Sequence, residues 1–331
     1  MKNTNTLKHL SEVLNISIST VSRALKNHPD ISQHTKKKVQ ELAAAMDYEP
    51  NSLAVQLRTK ESRLLGVLVP HINNFFYDSF IAAVEEEASL LGYSVMIMQT
   101  GDNADTEARN LKQLKKNLVS GIFVAISSET DNITPFLKMQ ESNIPVVFFD
   151  RVPEGKHLNK VCLADHDAAS IAANAIINAN KKNVLALFGH PNLSISKQRL
   201  ASFKQVFEHN APQTKLTVLH PDNMQFSKIA VEEALAKSER PDTIFCMGDL
   251  ILIGTMQAIH ERNLRVPEDI SVISISNGLI PTLYNPKITY VETSGYTLGK
   301  AAFKRMMSCM NNIAETREVS IESVLVKGNS L

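Results

Sequence analysis

Residues 17–25 of the chain read SISTVSRAL, and this stretch predicts a short helix with two different faces. Val21, Ala24 and Leu25 recur at helical spacing, so they predict the buried face. Ser17 precedes this run and belongs to the residue types that cap helix N-termini. The opposite face carries small and polar side chains, which would let the helix approach another molecule closely.

Two further helices are predicted on either side of residues 17–25. The preceding helix begins after Thr6, ends before Asn15, and has an apolar face made of Leu7, Leu10, Val13 and Leu14. The following helix begins after Ser32, ends before Pro50, and has an apolar face made of Val39, Leu42, Ala43 and Met46. The turn between the first two helices is very short, as a helix-turn-helix requires.

The polar face of residues 17–25 suits the major groove of DNA, where the N-terminal residues of a recognition helix meet base edges. Arg23 can donate to guanine or phosphate, and Ile18 can contact a thymine methyl group. The hydroxyl groups that can contact phosphates are those of Ser17, Ser19, Thr20 and Ser22. A purely structural three-helix bundle remains the alternative for these residues.

The charge of the chain is unevenly distributed. Residues 1–62 carry nine basic and six acidic residues, a net charge of +3, whereas the whole chain has +1. A basic segment joined to a mildly acidic body is compatible with a small nucleic-acid-binding module, although a solvated surface would give the same balance.

The helix-turn-helix and the sequence that follows it resemble the lactose-repressor (LacI/GalR) family. Residues 17–25 resemble the recognition helix of that family, residues 48–54 resemble its Tyr-x-Pro-Asn-x-x-Ala segment, and residues 56–60 resemble its hinge. The resemblance continues to the C-terminus. It implies that Ile18 and Ser19, together with Arg23, read bases in the major groove.

The resemblance also implies a hinge helix that forms on DNA. Asn51, Ala54 and Leu57 would share one side of it, with Arg58 as a further DNA contact, and Leu57 would wedge into the minor groove and kink a central step. Packing of Leu57 against the rest of the protein is the alternative. Because a family hinge works in pairs, the resemblance implies a homodimer on a pseudo-palindromic operator. The C-terminus shows no added leucine heptads, which favours a dimer over a larger assembly.

The remaining residues alternate between buried strands and amphipathic helices, which predicts parallel sheets covered on both faces. The predicted strands occupy residues 64–69, 93–98, 121–126, 145–149, 183–188, 243–247 and 271–275. The predicted helix at 76–91 would turn Phe80, Val84, Ala88 and Leu91 inward. Two such series predict an α/β body with two doubly wound parallel-sheet subdomains behind the all-α head.

The resemblance implies the domain boundaries and the type of body, a sensor related to periplasmic sugar-binding proteins. The DNA-binding domain would span 1–48, the hinge helix 49–62, and the effector-binding and dimerisation domain 63–331. Within that domain, the N-subdomain would comprise about 63–163 and 293–323, and the C-subdomain about 164–290. A small-molecule effector, with a carbohydrate or derivative expected, would bind between them near the carboxyl ends of the strands.

The resemblance places the candidate effector contacts in the turns after strands. They are Asn74, Tyr77, Ser127, Asp150, Arg199, Phe226, Asp249 and Ser276. Arg199 offers a fork that suits polyols or carboxylates, and Asp150 can accept hydrogen bonds from hydroxyl groups. Two positions depart from the family pattern, because Gly248 replaces an amide and Ser276 replaces a carboxylate. Three interpretations follow: the preferred ligand differs from that of typical members, the effector is not a simple monosaccharide, or the response to a small molecule has been lost.

Other classes of protein find no support in the sequence. No Gly-x-Gly-x-x-Gly, phosphate-loop or Gly-x-Ser-x-Gly motif is present, so neither a nucleotide cofactor nor an enzyme is expected. Cys162, Cys246 and Cys309 are expected to be buried thiols, and no metal is expected. The polar N-terminus lacks a signal-peptide core and no apolar run could span a bilayer, which predicts a cytoplasmic protein and argues against a sugar-transport protein.

Overall fold

The computed structural model describes residues 6–48, 62–155, 157–313 and 318–331. The chain divides into two compact units, Met1–Ser62 and Arg63–Leu331. No helix in the described ranges is long and apolar enough to cross a membrane.

The first unit contains the three predicted helices, α1 (Leu7–Leu14), α2 (Ile18–Leu25) and α3 (Gln33–Ala45). Thr6, Ser17 and Ser32 cap them as predicted, each accepting a hydrogen bond from the backbone N–H three residues on. Asn15, at φ 51°, ends α1 in the left-handed region, so the turn to α2 is short.

The core of this unit is small and is formed by one face of each helix. Its fully buried members are Leu10, Val21, Ala24 and Val39. The prediction was wrong for Val13, which is 53 % exposed. Leu10 lies at the centre of the apolar stripe of α1, and Val13 lies beyond its margin.

The second unit contains twelve strands and nine helices among the residues that are described. The strands are β1 (Leu64–Val69), β2 (Ser94–Gln99), β3 (Gly121–Val124), β4 (Val146–Phe149), β5 (Asn159–Leu163), β6 (Asn183–Leu187), β7 (Lys215–Leu219), β8 (Thr243–Cys246), β9 (Ser271–Ser276), β10 (Thr289–Glu292), β11 (Glu318–Ile321) and β12 (Val324–Val326). The helices are α4 (Phe75–Leu90), α5 (Ala104–Lys116), α6 (Thr134–Glu141), α7 (Asp165–Asn178), α8 (Ser194–Asn210), α9 (Met224–Leu235), α10 (Asp249–Glu261), α11 (Leu279–Thr282) and α12 (Gly295–Met310).

The strands form two six-stranded sheets, and each sheet with its helices is called a lobe below. The first lobe has the strand order β11-β5-β4-β3-β1-β2, all parallel. The second has the order β12-β10-β9-β8-β6-β7, in which only β12 runs antiparallel to its neighbour. The described chain crosses between the lobes at residues 163–165, 292–295 and 321–324. This architecture confirms the predicted fold class.

Apolar clusters cover both faces of the first sheet. Val67 packs with Phe80 and Leu298 on one face, and Leu68 packs with Leu114 on the other. This alternation explains why β1 is a continuous apolar run. Leu91 was wrongly predicted to point inward, because α4 ends at Leu90 and leaves Leu91 51 % exposed.

Helix α12 returns to the first lobe and packs closely on α4. A Cβ atom at Gly299 would lie 2.6 Å from the carbonyl oxygen of Phe80, and one at Gly295 would lie 2.4 Å from that of Phe76. The helices can approach this closely because both positions lack a side chain.

Candidate functional site

A cleft of about 400 Å³ lies where the carboxyl ends of strands from both lobes meet. Tyr77, Asp102, Asp150 and Arg151 line it from the first lobe, and residues 189–190, 247–251 and 275–277 line it from the second. The volume is in the range of small-molecule sites. Its position agrees with the rule that ligands of open α/β sheets bind beyond the carboxyl ends of the strands.

The buried carboxylate of Asp150 forms the centre of the first-lobe wall. The hydroxyl group of Tyr77 donates to Asp150 Oδ2 at 2.8 Å. Burial raises the pKa of Tyr77 well above its usual value, so this hydroxyl remains a donor. Asn74 also lines the cleft, while its side chain caps α4 by accepting from the N–H of Phe76 at 3.0 Å.

The guanidinium group of Arg151, next in the chain, pairs with a carboxylate on the same wall. Arg151 Nη1 lies 2.8 Å from Asp102 Oδ1. The backbone N–H and the hydroxyl group of Ser128 also donate to Asp102, at 2.8 and 2.9 Å. Burial by itself would raise the pKa of Asp102, but Arg151 and the hydrogen bonds from Ser128 outweigh it, and the pKa is lowered.

Arg199 extends from α8 and forms a buried ion pair on the second-lobe wall. Its Nε and Nη2 atoms both lie 2.7 Å from Asp165 Oδ1, and its Nη1 donates to the carbonyl oxygen of Met247 at 3.0 Å. Burial raises the pKa of Asp165 to about 6, although Arg199 opposes the shift. Two of the three guanidinium nitrogens are thus committed to a carboxylate of the protein.

Asp249 begins α10 and is held by the end of β9. The hydroxyl group of Ser276 donates to its Oδ1 through a short hydrogen bond, and the backbone N–H of Asn277 donates to Oδ2 at 3.3 Å. Burial raises the pKa of Asp249, although both hydrogen bonds oppose the shift. Ser276 Oγ also accepts from the N–H of Gly278 at 3.0 Å. The hydroxyl group therefore both donates, to Asp249, and accepts within the protein.

The side chain of Asn277 bridges the two lobes beside the cleft. Its Nδ2 donates to the carbonyl oxygen of Phe75 at 3.2 Å, and its Oδ1 accepts from the N–H of Gly295 at 3.0 Å. The hydroxyl group of Ser79 also donates to this oxygen, at 3.3 Å. Because Asn277 also holds Asp249, a hydrogen-bonded path joins the cleft to the N-terminal turns of α4.

Six of the eight predicted effector contacts line this cleft, and two do not. The six are Asn74, Tyr77, Asp150, Arg199, Asp249 and Ser276. Ser127 is buried behind the wall, where its N–H donates to Glu107 at 2.8 Å, and it lines a neighbouring cavity. Phe226 lies on α9 with 55 % of its surface exposed and is not among the residues that line the cleft.

Four residues at the site were not predicted from the sequence: Asp102, Arg151, Asp165 and Asn277. Asp102 follows β2, which was predicted, so the rule of looking after strand ends would have found it. Asp165 follows β5, which was not predicted as a strand. It lies in the first turn of α7, and its carboxylate is the partner of Arg199.

The start of α2 presents an open surface in the first unit. Ser17, Ser19 and Arg23 are exposed, and the apolar side chain of Ile18 is 47 % exposed. Thr20 and Ser22 are partly exposed on the same helix. The predicted hinge contacts Asn51, Ala54, Leu57 and Arg58 lie outside the described residues.

Comparisons with known families match both units. Residues 6–51 match the family described as "Bacterial regulatory proteins, lacI family". Residues 62–328 match the family described as "Periplasmic binding proteins and sugar binding domain of LacI family". The second match alone covers most of the chain.

Curated relatives match along nearly their whole length. Catabolite control protein A of Priestia megaterium is 27 % identical over 319 residues, which cover 96 % of this chain and 95 % of the relative. The HTH-type transcriptional repressor PurR of Vibrio atlanticus (strain LGP32) is 25 % identical over 304 residues, 91 % of each chain.

Solved structures share the fold. A lac repressor dimer bound to operator and the anti-inducer ONPF has a TM-score of 0.88 at 22 % identity, with 98 % of both chains covered. A complex of the transcriptional regulator CelR with cellobiose has a TM-score of 0.72 at 18 % identity, covering 98 % of this chain and 99 % of the other.

Proposed function

The chain belongs to the LacI family of bacterial regulatory proteins, and on this premise we propose that it is a sequence-specific transcriptional repressor. Its relatives include the HTH-type transcriptional repressor PurR and catabolite control protein A. The observation that carries the proposal is the capped helix α2 of a helix-turn-helix, which exposes Ile18 and Ser19 in its first turn and Arg23 in its last turn. A recognition helix needs this arrangement to reach base edges.

The DNA-contacting set comprises the start of α2 and the hinge. Ile18, Ser19 and Arg23 read bases, and Ser17, Thr20 and Ser22 approach phosphates. Asn51, Ala54, Leu57 and Arg58 contact the minor groove from a hinge helix. We assign residues 1–48 to the DNA-binding domain, 49–62 to the hinge and 63–331 to the sensor.

The repressor acts as a homodimer on a pseudo-palindromic operator. A surface of exposed apolar side chains in the second lobe supports an interface between subunits. It comprises Met224 (37 % exposed), Phe226 (55 %), Ile229 (39 %), Leu279 (48 %) and Leu283 (68 %). These side chains lie on α9 and at α11, which both pack against α10, and apolar side chains this exposed are typical of an interaction surface. Phe226 therefore has a second candidate role besides ligand contact.

The cleft between the lobes binds the small-molecule effector, a sugar-like ligand. Asn74, Tyr77, Asp150, Arg199, Asp249 and Ser276 line it and supply hydrogen-bonding groups. Ligand binding changes the closure of the lobes, and thereby the spacing of the DNA-binding heads of the dimer. Because its target is chromosomal DNA, the protein works in the cytoplasm.

The test is selection of binding sites from random double-stranded DNA by the full chain, followed by affinity measurement at several salt concentrations. We expect enrichment of a pseudo-palindromic site and a steep decrease in affinity with salt, since phosphate contacts release counterions. Binding without sequence preference and without salt dependence would refute the repressor function.

A further inference from the structure

The walls of the cleft carry more negative than positive charge. Among the described residues that line it, Asp102, Glu129, Asp150, Asp222 and Asp249 are carboxylates, whereas only Arg151 and Arg199 carry guanidinium groups. A site for an anionic ligand would show the opposite balance, because phosphates and carboxylates are bound by uncompensated guanidinium groups.

Both guanidinium groups are already neutralised by carboxylates of the protein. Arg151 pairs with Asp102 at 2.8 Å, and Arg199 pairs with Asp165 at 2.7 Å. Asp165 does not line the cleft but lies behind it, where the pair is buried, with side-chain exposures of 6 % for Arg199 and 4 % for Asp165. The arginines therefore attract anions weakly and act mainly as hydrogen-bond donors.

Two buried carboxylates on opposite walls form no ion pair within 4 Å among the described residues, although the charge of Arg151 also acts on Asp150. Asp150 is 7 % exposed and has the hydroxyl group of Tyr77 as its hydrogen-bond donor. Asp249 is 9 % exposed and has Ser276 and Asn277 as its donors. Burying a carboxylate is unfavourable unless it is paired, and closure of the lobes would remove more water from both.

Part of the remaining lining is apolar and suits a ring. Phe76, Leu163, Met247 and Ile275 contribute side chains to the same 400 Å³ cleft. Such a surface can contact the C–H face of a cyclic polyol, while the polar groups bind hydroxyl groups at its edge.

We propose that the effector is a cyclic polyol carrying a protonated amine, the chemistry of an amino sugar with a free amino group. The ammonium group lies between the carboxylates of Asp150 and Asp249, and the hydroxyl groups meet Asn74 and Arg199. This assignment rests on the proposed function of the cleft as the effector site. Arg199 was expected to suit polyols or carboxylates, and because Asp165 already occupies its guanidinium group, the assignment keeps only the hydroxyl groups for it.

The test measures binding of matched sugars to the full chain by titration calorimetry, at a pH that keeps the amine protonated. D-Glucosamine, D-galactosamine and D-mannosamine are each compared with the N-acetyl derivative, the parent hexose and the corresponding uronate. We expect at least one amine to bind about tenfold or more tightly than its three neutral or anionic counterparts, a difference of about 1.4 kcal/mol. This comparison needs no variant, so it does not depend on the folding of a mutant.

Substitutions then locate the ammonium group. Asp249→Asn and Asp150→Asn keep the shape of the side chain and should reduce the preference for the amine at least tenfold. Asp167→Asn is the control, because Asp167 is exposed in the first turn of α7 and does not line the cleft. An unchanged preference in both cleft variants would overturn the assignment of these carboxylates.

Other outcomes would refute the proposed amino-sugar effector without refuting the proposed repressor function. Tighter binding of a neutral hexose or a uronate, or no binding of any amino sugar, would show that the ligand class is wrong. Selection of an operator from random DNA by the same preparation would still support the proposed function, whereas failure of that selection would refute it separately.

Discussion

The Oδ1 atom of Asp165 lies 2.7 Å from both Nε and Nη2 of Arg199, which joins the first turn of α7 to α8 at the wall of the cleft. The pair is almost completely buried, so each charge depends on the other. It fixes the orientation of the arginine and reduces its attraction for anionic ligands.

Replacement of Asp165 tests how much its contact with Arg199 contributes to the stability of the fold. We expect Asp165→Ala to lower the free energy of unfolding by about 1–3 kcal/mol, since it leaves two buried N–H groups of Arg199 without their acceptor. Chemical denaturation of the second unit at neutral pH measures the loss. Asp167→Asn on the same helix is the control and should change stability by less than about 0.5 kcal/mol.

The same pair predicts a pH dependence of stability. Burial raises the pKa of Asp165 to about 6, above its value of 3.8 in the unfolded chain, so the folded protein holds this proton more tightly. Its contribution to stability is therefore complete below about pH 4 and is lost as the pH rises through about 6. The stability difference between the wild type and Asp165→Asn should change in that window by up to about 1.4 kcal/mol per pH unit. A constant difference from pH 4 to 7 would contradict the shift.

A side chain added at Gly299 should destabilise the protein, whereas a side chain added at Gly248 should leave its stability unchanged. Gly299→Ala would place a Cβ atom 2.6 Å from the carbonyl oxygen of Phe80 and should lower the free energy of unfolding by about 1–3 kcal/mol. Gly248 has no atom within 4 Å of such a position and precedes α10 in extended conformation, where asparagine is a good N-cap. Gly248→Asn should therefore preserve the melting temperature while it restores an amide to the cleft. Equal destabilisation of both variants would refute this comparison.

Arg23 is expected to contact a base, so the affinity lost on its replacement should depend on the DNA sequence. Arg23→Gln should weaken binding to the selected operator by about 1–3 kcal/mol and relax the preference at one base pair of each half-site. Lys37→Gln removes the same charge from the exposed surface of α3 and should weaken binding to all DNA sequences by the same factor. Fluorescence anisotropy with single-base operator variants separates the two effects.

Leu57 provides the test of the hinge. Leu57→Ala should weaken operator binding, because the wedge that offsets unstacking of the central step is lost. The thermal stability of the sensor and its affinity for ligand should remain unchanged. Wild-type operator affinity in this variant would refute the wedge.

Prediction from sequence was most accurate where the interactions are local. The caps Thr6, Ser17 and Ser32 each bond three residues on, and β1 was predicted with the bounds that the structure has. Prediction failed for short strands such as β5, which carries the polar residues Asn159 and Lys160 yet is completely buried between β4 and β11. A strand of this kind is defined by its neighbours in the sheet and not by its own pattern.

The sequence by itself determined the DNA-binding head, the α/β class of the body and the family, because these depend on caps, periodicity and motifs within short windows. Tertiary structure alone decided which charges of the cleft remain available to a ligand. Asp150 and Tyr77 are separated by 73 residues and Arg199 and Asp165 by 34, so only folding brings each pair together. Arg199 was predicted to offer its guanidinium group to polyols or carboxylates of a ligand, and the structure places it in an ion pair with Asp165, because a buried guanidinium requires a counter-charge.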